Sequence, residues 1–83
     1  MQDNLIQTKP ETTALEQWTL DHLTRTKVEE IRMEMGWSKY KYSSQIRLNR
    51  SWKLAEVRKF CLLSGLPLEN INDYIPNVLI VAE

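Results

Sequence analysis

Apolar residues recur at helical spacing from about residue 13 onward, and the polar residues between them mark where helices begin. Leu15 and Trp18 share one face of a predicted helix. Thr13 and Glu16 have the three-residue spacing of a capping box, in which a hydroxyl and a carboxylate satisfy free backbone N–H groups. We therefore expect the first helix to begin at Thr13 and to end near residue 23.

A second helix is predicted directly afterwards. Thr26 and Glu29 form another capping-box pattern, and Val28 and Ile31 give the helix an apolar face. Gly36 follows, and glycine readily adopts the left-handed conformation that ends many helices. The second helix is therefore expected to stop at Gly36.

The C-terminal third of the chain returns to the helical pattern. From about Ser51 the sequence carries a broad apolar stripe that includes Trp52, Val57 and Phe60, and Gly65 is placed to end this helix. A short helix is predicted from Pro67 until Pro76 stops it.

The tail at 77–83 contains the apolar, β-branched run VLIVA, which is typical of a strand or an extended arm. We expect this tail to pair with a second copy of the chain, since an isolated strand has unpaired backbone groups.

Residues 39–49 fit two periodicities. With a helical period, Tyr42 and Ile46 stack one turn apart and Ser38 caps the helix. With a two-residue period, 43–49 alternates between apolar and polar side chains as a strand does. The sequence leaves both possibilities open.

Length and composition indicate a single small domain. The chain has 83 residues, of which 42% are hydrophobic, enough for one modest core. We assign 1–10 to a flexible N-terminal segment, 11–76 to the domain and 77–83 to the tail. The sequence shows no signal-peptide or membrane-spanning pattern, and Cys61 is its lone cysteine, so we expect a cytoplasmic protein.

Charge is distributed unevenly along a chain whose net charge is zero. Ten of the eleven basic residues lie between residues 25 and 59, where only four acidic residues occur. The stretch from Ser38 to Leu54 contains no acidic residue at all. A basic centre between acidic ends is typical of a small nucleic-acid-binding protein.

Three segments, in order, resemble the lambda-repressor-like (Cro/repressor) helix-turn-helix family. KVEEIRMEMGWS is similar to its first helix and the cap of the second, YSSQIRLNRS to the second helix and turn, and KFCLLSGLPLENI to the later helices. The resemblance implies a mainly α domain of about five short helices that binds double-stranded DNA as a homodimer, such as a small prokaryotic or phage transcriptional regulator.

The sequence departs from the family pattern in two places. The glycine that the family usually has in the turn falls at Arg47, so we expect Arg47 at positive φ and expect Arg47→Gly not to lower the melting temperature. The segment between Ser51 and Phe60 is too short for a recognition helix and a further helix.

A second resemblance is to the Arc-type ribbon-helix-helix family. In that case 43–49 would be a strand whose alternate polar side chains enter the major groove. That family also binds DNA as a dimer, so both resemblances imply the same function.

Two sets of side chains are predicted to contact DNA. Arginine can pair with guanine and glutamine or asparagine with adenine, while lysine and serine can hold phosphates. The candidate base-reading residues are Gln45, Arg47, Asn49, Arg50 and Lys53. The candidate phosphate contacts are Lys39, Lys41, Ser44 and Ser51. The rings of Tyr40 and Trp52 could stack on a base, but aromatic rings beside a helix start are more often in the core, and we expect them there.

The sequence offers no catalytic constellation, metal-ligand spacing or phosphate-binding glycine loop, so we expect no enzyme activity, metal, cofactor or small-molecule substrate. An alternative function remains open: a small protein-binding module, such as a phage inhibitor or an antitoxin, whose basic face meets an acidic partner.

Overall fold

The computed structural model describes residues 12–82, and this part of the chain is mainly α-helical, which confirms the predicted fold class. Its α-helices are α1 (Ala14–His22), α2 (Arg25–Met35), α3 (Lys39–Ile46) and α4 (Leu54–Ser64). Two 3-10 helices follow, at Leu68–Asp73 and Asn77–Leu79, and two short strands are β1 (Trp52–Lys53) and β2 (Ile80–Val81). The flexible segment predicted at 1–10 lies outside the described residues, as does Glu83.

Side-chain hydroxyls cap the N-termini of the first three helices. In each case the hydroxyl oxygen accepts a hydrogen bond from the backbone N–H three residues later, and the three capping residues are Thr13, Thr24 and Ser38. The caps at Thr13 and Ser38 were predicted, but the predicted start at Thr26 is wrong by two residues. Thr24 has the extended backbone of a capping residue (φ −77°, ψ 165°), and Thr26 already lies inside α2.

The residues between Lys39 and Ile46 are helical, so the ribbon alternative with a strand at 43–49 is wrong. The end of this helix also corrects the turn assignment. Arg47 has φ −84°, whereas Leu48 takes the left-handed conformation with φ 63°. The N–H groups of Leu48 and Asn49 donate to the carbonyls of Gln45 and Ser44. This is the bonding pattern of a Schellman motif, in which the left-handed residue comes one position after the cap.

Buried aromatic rings hold the centre of the core together. Trp52 is completely buried and meets Trp37 and Phe60 edge to face, with ring centroids 5.5 and 5.4 Å apart. The indole N–H of Trp52 donates to the carbonyl of Gln45 at 3.1 Å, which satisfies its only donor. The buried hydrophobic residues are Leu15, Ile31, Trp37, Ile46, Trp52, Val57, Phe60, Cys61, Leu66 and Ile75.

The C-terminal tail pairs within the chain. Ile80 lies opposite Trp52 and Val81 opposite Lys53 in a parallel two-stranded sheet. Ile80 also packs against the core as a partly buried side chain. The tail is therefore not without a partner strand, because the backbone of Trp52 and Lys53 supplies one. Its pairing with a second copy stays a prediction.

The backbone of Arg47 generates a first prediction. Because Arg47 has negative φ, glycine relieves no strain there and adds only flexibility to the unfolded chain. We expect Arg47→Gly to be less stable than Arg47→Ala by about 0.5 to 1 kcal/mol, a lowering of the melting temperature by a few degrees. Thermal unfolding followed by circular dichroism compares the two variants, and equal or higher stability of the glycine variant would contradict the backbone assignment.

A second prediction tests the paired tail. Ile80→Ser removes a partly buried side chain from the core and should lower the free energy of unfolding by about 1 to 2 kcal/mol. The matched control is Val78→Ser, since Val78 is 87% exposed and its replacement should change stability by less than about 0.5 kcal/mol. Equal effects of the two substitutions in urea unfolding would show that the tail does not pack as described.

Candidate nucleic-acid interface

Three cationic side chains meet at a shallow cleft of about 410 Å³, which we call the basic cleft. Its lining residues are Lys41, Gln45, Arg50, Ser51, Lys53, Glu56 and Val81. They come from α3, the turn after it, β1, the first turn of α4 and the C-terminal strand. The cleft is therefore a product of the tertiary fold rather than of one helix.

Packing around Trp52 places these groups on the same side. Gln45 forms two hydrogen bonds to the segment after the turn. Its backbone carbonyl accepts from the indole N–H of Trp52, and its side-chain amide donates to the backbone carbonyl of Ser51 at 3.4 Å. These bonds join the end of α3 to the beginning of β1. Arg50 and Lys53 are thereby brought beside Lys41, whose ammonium lies 5.9 Å from the centroid of the Trp37 ring.

The first turn of α4 opens onto the same cleft. Lys53 occupies the cap position with extended backbone (φ −79°, ψ 145°), but a lysine side chain has no acceptor and cannot bond the free N–H groups of that turn. The carboxylate of Glu56 instead accepts from the backbone N–H of Lys53 at 2.9 Å. Glu56 is also the single acidic residue that lines the cleft.

The structure corrects two of the predicted contact residues. Ser44 and Gln45 are only 8% and 2% exposed. They lie on the inner face of α3, because the helical period turns them toward the core, whereas a strand would have presented them alternately. Neither Ser44 as a phosphate contact nor Gln45 as a base reader fits this burial.

The other predicted residues are accessible but do not all belong to one surface. Lys41, Arg50, Ser51 and Lys53 line the basic cleft. Lys39, Arg47 and Asn49 are exposed and are not among its lining residues. Arg47 instead pairs with Glu16 of α1, with its Nε 3.5 Å from a carboxylate oxygen.

Sequence reasoning missed the cleft positions of Glu56 and Val81 and the exposure of Tyr40. Tyr40 is 75% exposed, so its expected place in the core is wrong, whereas Trp52 is in the core as predicted. The position of Val81 depends on the pairing of the tail with β1, for which the sequence carried no signal. Glu56 could have been found from its spacing, three residues after the cap of α4.

The cations of the cleft form no ion pair within the described part of the chain. The ion pairs among residues 12–82 join Lys27 to Glu30, Arg32 to Glu29 and Arg47 to Glu16. None of these pairs includes Lys41, Arg50 or Lys53. Among the described residues the cleft therefore holds three cations and one carboxylate, that of Glu56, which is an excess of positive charge.

Groups with displaced pKa values lie away from the cleft. The hydrogen bond from Arg32 lowers the pKa of Glu29, and burial raises the pKa of Tyr42 to about 12. Burial also raises the pKa of the Cys61 thiol, which keeps it protonated and unreactive in the core.

Across 12–82, no group of three or more histidine, cysteine, aspartate or glutamate side chains is arranged to hold a metal ion. The helices in this range are all too short or too polar to cross a membrane.

Comparisons with family models, with curated proteins and with solved structures give no match to this chain.

Proposed function

We propose that this protein binds double-stranded DNA through the basic cleft. The observation that carries the proposal is the meeting of Lys41, Arg50 and Lys53 at one surface, with no ion pair to any of them among residues 12–82. An excess of cations at one concave surface is suited to a ligand with closely spaced negative charges, and a phosphodiester backbone has that property.

The predicted contact residues that are accessible favour contacts with DNA phosphates over contacts with base edges. With Gln45 buried and Arg47 turned toward Glu16, Asn49 and Arg50 are the exposed candidates for base edges in the turn after α3. Arginine pairs well with guanine and asparagine with adenine. Sequence preference would thus depend on few side chains, while affinity depends on phosphates.

The helix-turn-helix resemblance extends the proposal to a small transcriptional regulator in the cytoplasm. In that arrangement α4, the single helix between the turn and Gly65, takes the place of both the recognition helix and the helix after it. A homodimer remains part of the proposal, since two copies would double the phosphate contacts. The tail gives the homodimer no separate support, because it pairs within its own chain.

One observation favours the alternative of a protein-binding module. An apolar groove of about 360 Å³ lies where α1, α2 and α3 meet, and Leu20, which is 68% exposed, lies along it with Leu23 and Val28. Such a groove could hold apolar side chains of a partner protein. It is a different surface from the basic cleft, which is the face that this alternative would present to an acidic partner.

The salt dependence of duplex binding tests the proposed function. If the three cleft cations each neutralise one phosphate, log K should fall by about 2.7 per unit of log[salt], roughly a 40-fold loss of affinity between 50 and 200 mM salt. Fluorescence anisotropy with random-sequence duplex DNA measures this slope. Binding to one purified protein, with none to duplex at low salt, would favour the protein-binding alternative instead.

Substitutions in the cleft give the matching prediction. Arg50→Ala and Lys53→Ala should each weaken duplex binding several-fold and reduce the salt slope by about 1. Both residues are exposed, so the free energy of unfolding should change by less than about 0.5 kcal/mol. The control is Lys27→Ala, which removes a lysine of α2 that is paired with Glu30 at 3.9 Å. Equal losses of affinity in all three variants would mean that the binding surface is not the cleft.

The acidic residue of the cleft provides a test in the opposite direction. Glu56→Gln removes a negative charge from the cleft but keeps an oxygen that can accept from the N–H of Lys53. Duplex affinity should rise about two- to fivefold, the size of one charge interaction screened by water at several ångströms. Parallel anisotropy titrations of the two proteins measure the change, and weaker binding by a folded Gln variant would refute the placement of phosphate at this end of α4.

A further inference from the structure

The apolar groove where α1, α2 and α3 meet presents hydrophobic side chains to its open side. Leu20 is 68% exposed there, and Leu23, Val28 and Ile46 complete the apolar part of its lining. Apolar surface is stabilised when it is removed from water, so a segment that covers this groove would gain from contact with it.

The groove is also lined by two opposite charges that are separated along α1. Glu16 lies in the first turn of α1, and Arg25 is the first residue of α2, so most of the length of α1 lies between them. The guanidinium of Arg25 forms no ion pair within 12–82. From Arg25 back to Glu16 the groove therefore presents a cation, an apolar wall and an anion in that order.

The chain enters α1 beside the Glu16 end of this groove. The hydroxyl of Thr13, which caps α1, donates to the carbonyl of Ile46 at 3.1 Å, and Ile46 lines the groove. Residues 1–11 therefore join the described chain at this end. The stretch from Leu5 to Thr13 can span up to about 26 Å when extended, whereas α1 is about 13 Å long. Leu5 can thus reach the apolar wall.

The sequence of 1–11 complements the groove in order and in charge. MQDNLIQTKPE contains an acidic residue, then an apolar residue, then a basic residue, at Asp3, Leu5 and Lys9. All three are odd-numbered, and side chains two positions apart share one side of an extended chain. A segment that runs antiparallel to α1 therefore offers its anion to the cationic end of the groove and its cation to the anionic end.

We propose that residues 1–11 run back along α1 and fill this groove, with Leu5 against Leu20 and Asp3 at the guanidinium of Arg25. Because the segment is covalently joined to α1, its effective concentration at the groove is about millimolar, which favours it over a free partner of equal affinity. A partner protein that uses the groove would first have to displace it. The proposal does not depend on DNA binding.

A double-mutant cycle in the full-length chain tests the apolar contact, because coupling between two substitutions reports the interaction of the two side chains. Leu20→Ala should lower the melting temperature by about 4 to 8 °C when Leu5 is present, since it removes a covered side chain. In the Leu5→Ser background it should lower the melting temperature by less than about 2 °C, as at an exposed position. Circular dichroism measures the four melting curves.

The matched control replaces another leucine on a helix surface. Leu62 is 85% exposed on α4 and does not line the groove. The effect of Leu62→Ala on the melting temperature should be the same with and without Leu5→Ser.

Exchange of the two charges forms a second cycle. Asp3→Arg and Arg25→Asp each bring like charges together, and the double variant restores an opposite pair. Its melting temperature should lie about 1 to 4 °C above the value expected from the sum of the single effects. This coupling should disappear at high salt, whereas the coupling of Leu5 with Leu20 should persist.

Additive effects in the cycles would overturn the proposal. Equal losses from Leu20→Ala with and without Leu5→Ser would show that the groove is not covered by this segment and is open to another partner. Coupling that appears only at high protein concentration would place the segment in the groove of a second copy and would also overturn it. If the apolar variants do not fold, the charge cycle decides. The cycles involve no residue of the basic cleft, so DNA binding can fail while the proposal stands, and the reverse.

Discussion

The indole of Trp52 is the constraint on which both the fold and the candidate interface depend. Its ring is fully buried against Trp37 and Phe60, and its N–H donates to the carbonyl of Gln45 at the end of α3. Its backbone also pairs with Ile80 of the C-terminal strand. One residue thus fixes the path of the turn before it, the start of α4 after it and the position of the tail, so every wall of the basic cleft is set relative to this ring.

The burial of Gln45 follows from the same constraint. A buried amide without a partner costs about 1 to 3 kcal/mol, so its side chain must find one within the fold. The side-chain amide nitrogen of Gln45 donates to the backbone carbonyl of Ser51. The backbone carbonyl of Gln45 accepts from the indole N–H of Trp52. These two bonds shape the turn that carries Asn49 and Arg50. A residue that the sequence suggests for reading DNA therefore contributes to the site by holding the turn in place.

Features governed by a few neighbouring residues could be predicted from the sequence, and features governed by tertiary contacts could not. Thr13 and Ser38 cap their helices, and Gly36 and Gly65 end theirs at positive φ, because these are local properties of the backbone. The pairing of the tail with Trp52 and Lys53 joins segments far apart in sequence. Residues 39–49 fit both a helix pattern and a strand pattern. The helix forms because it buries the apolar face of α3, and the helical period then turns Gln45 inward.

Charge alone identifies 38–54 as the basic stretch of the sequence. The turn after α3 determines which of its cations share one surface. Folding separates Arg47, paired with Glu16, from Lys41, Arg50 and Lys53, which share the cleft. Gathering three like charges at a concave surface opposes folding through their mutual repulsion. Glu56, the acidic residue at this surface, is engaged by the backbone N–H of Lys53. An anionic ligand would remove this repulsion only in the folded chain, so its binding and the stability of the turn around Trp52 are thermodynamically linked.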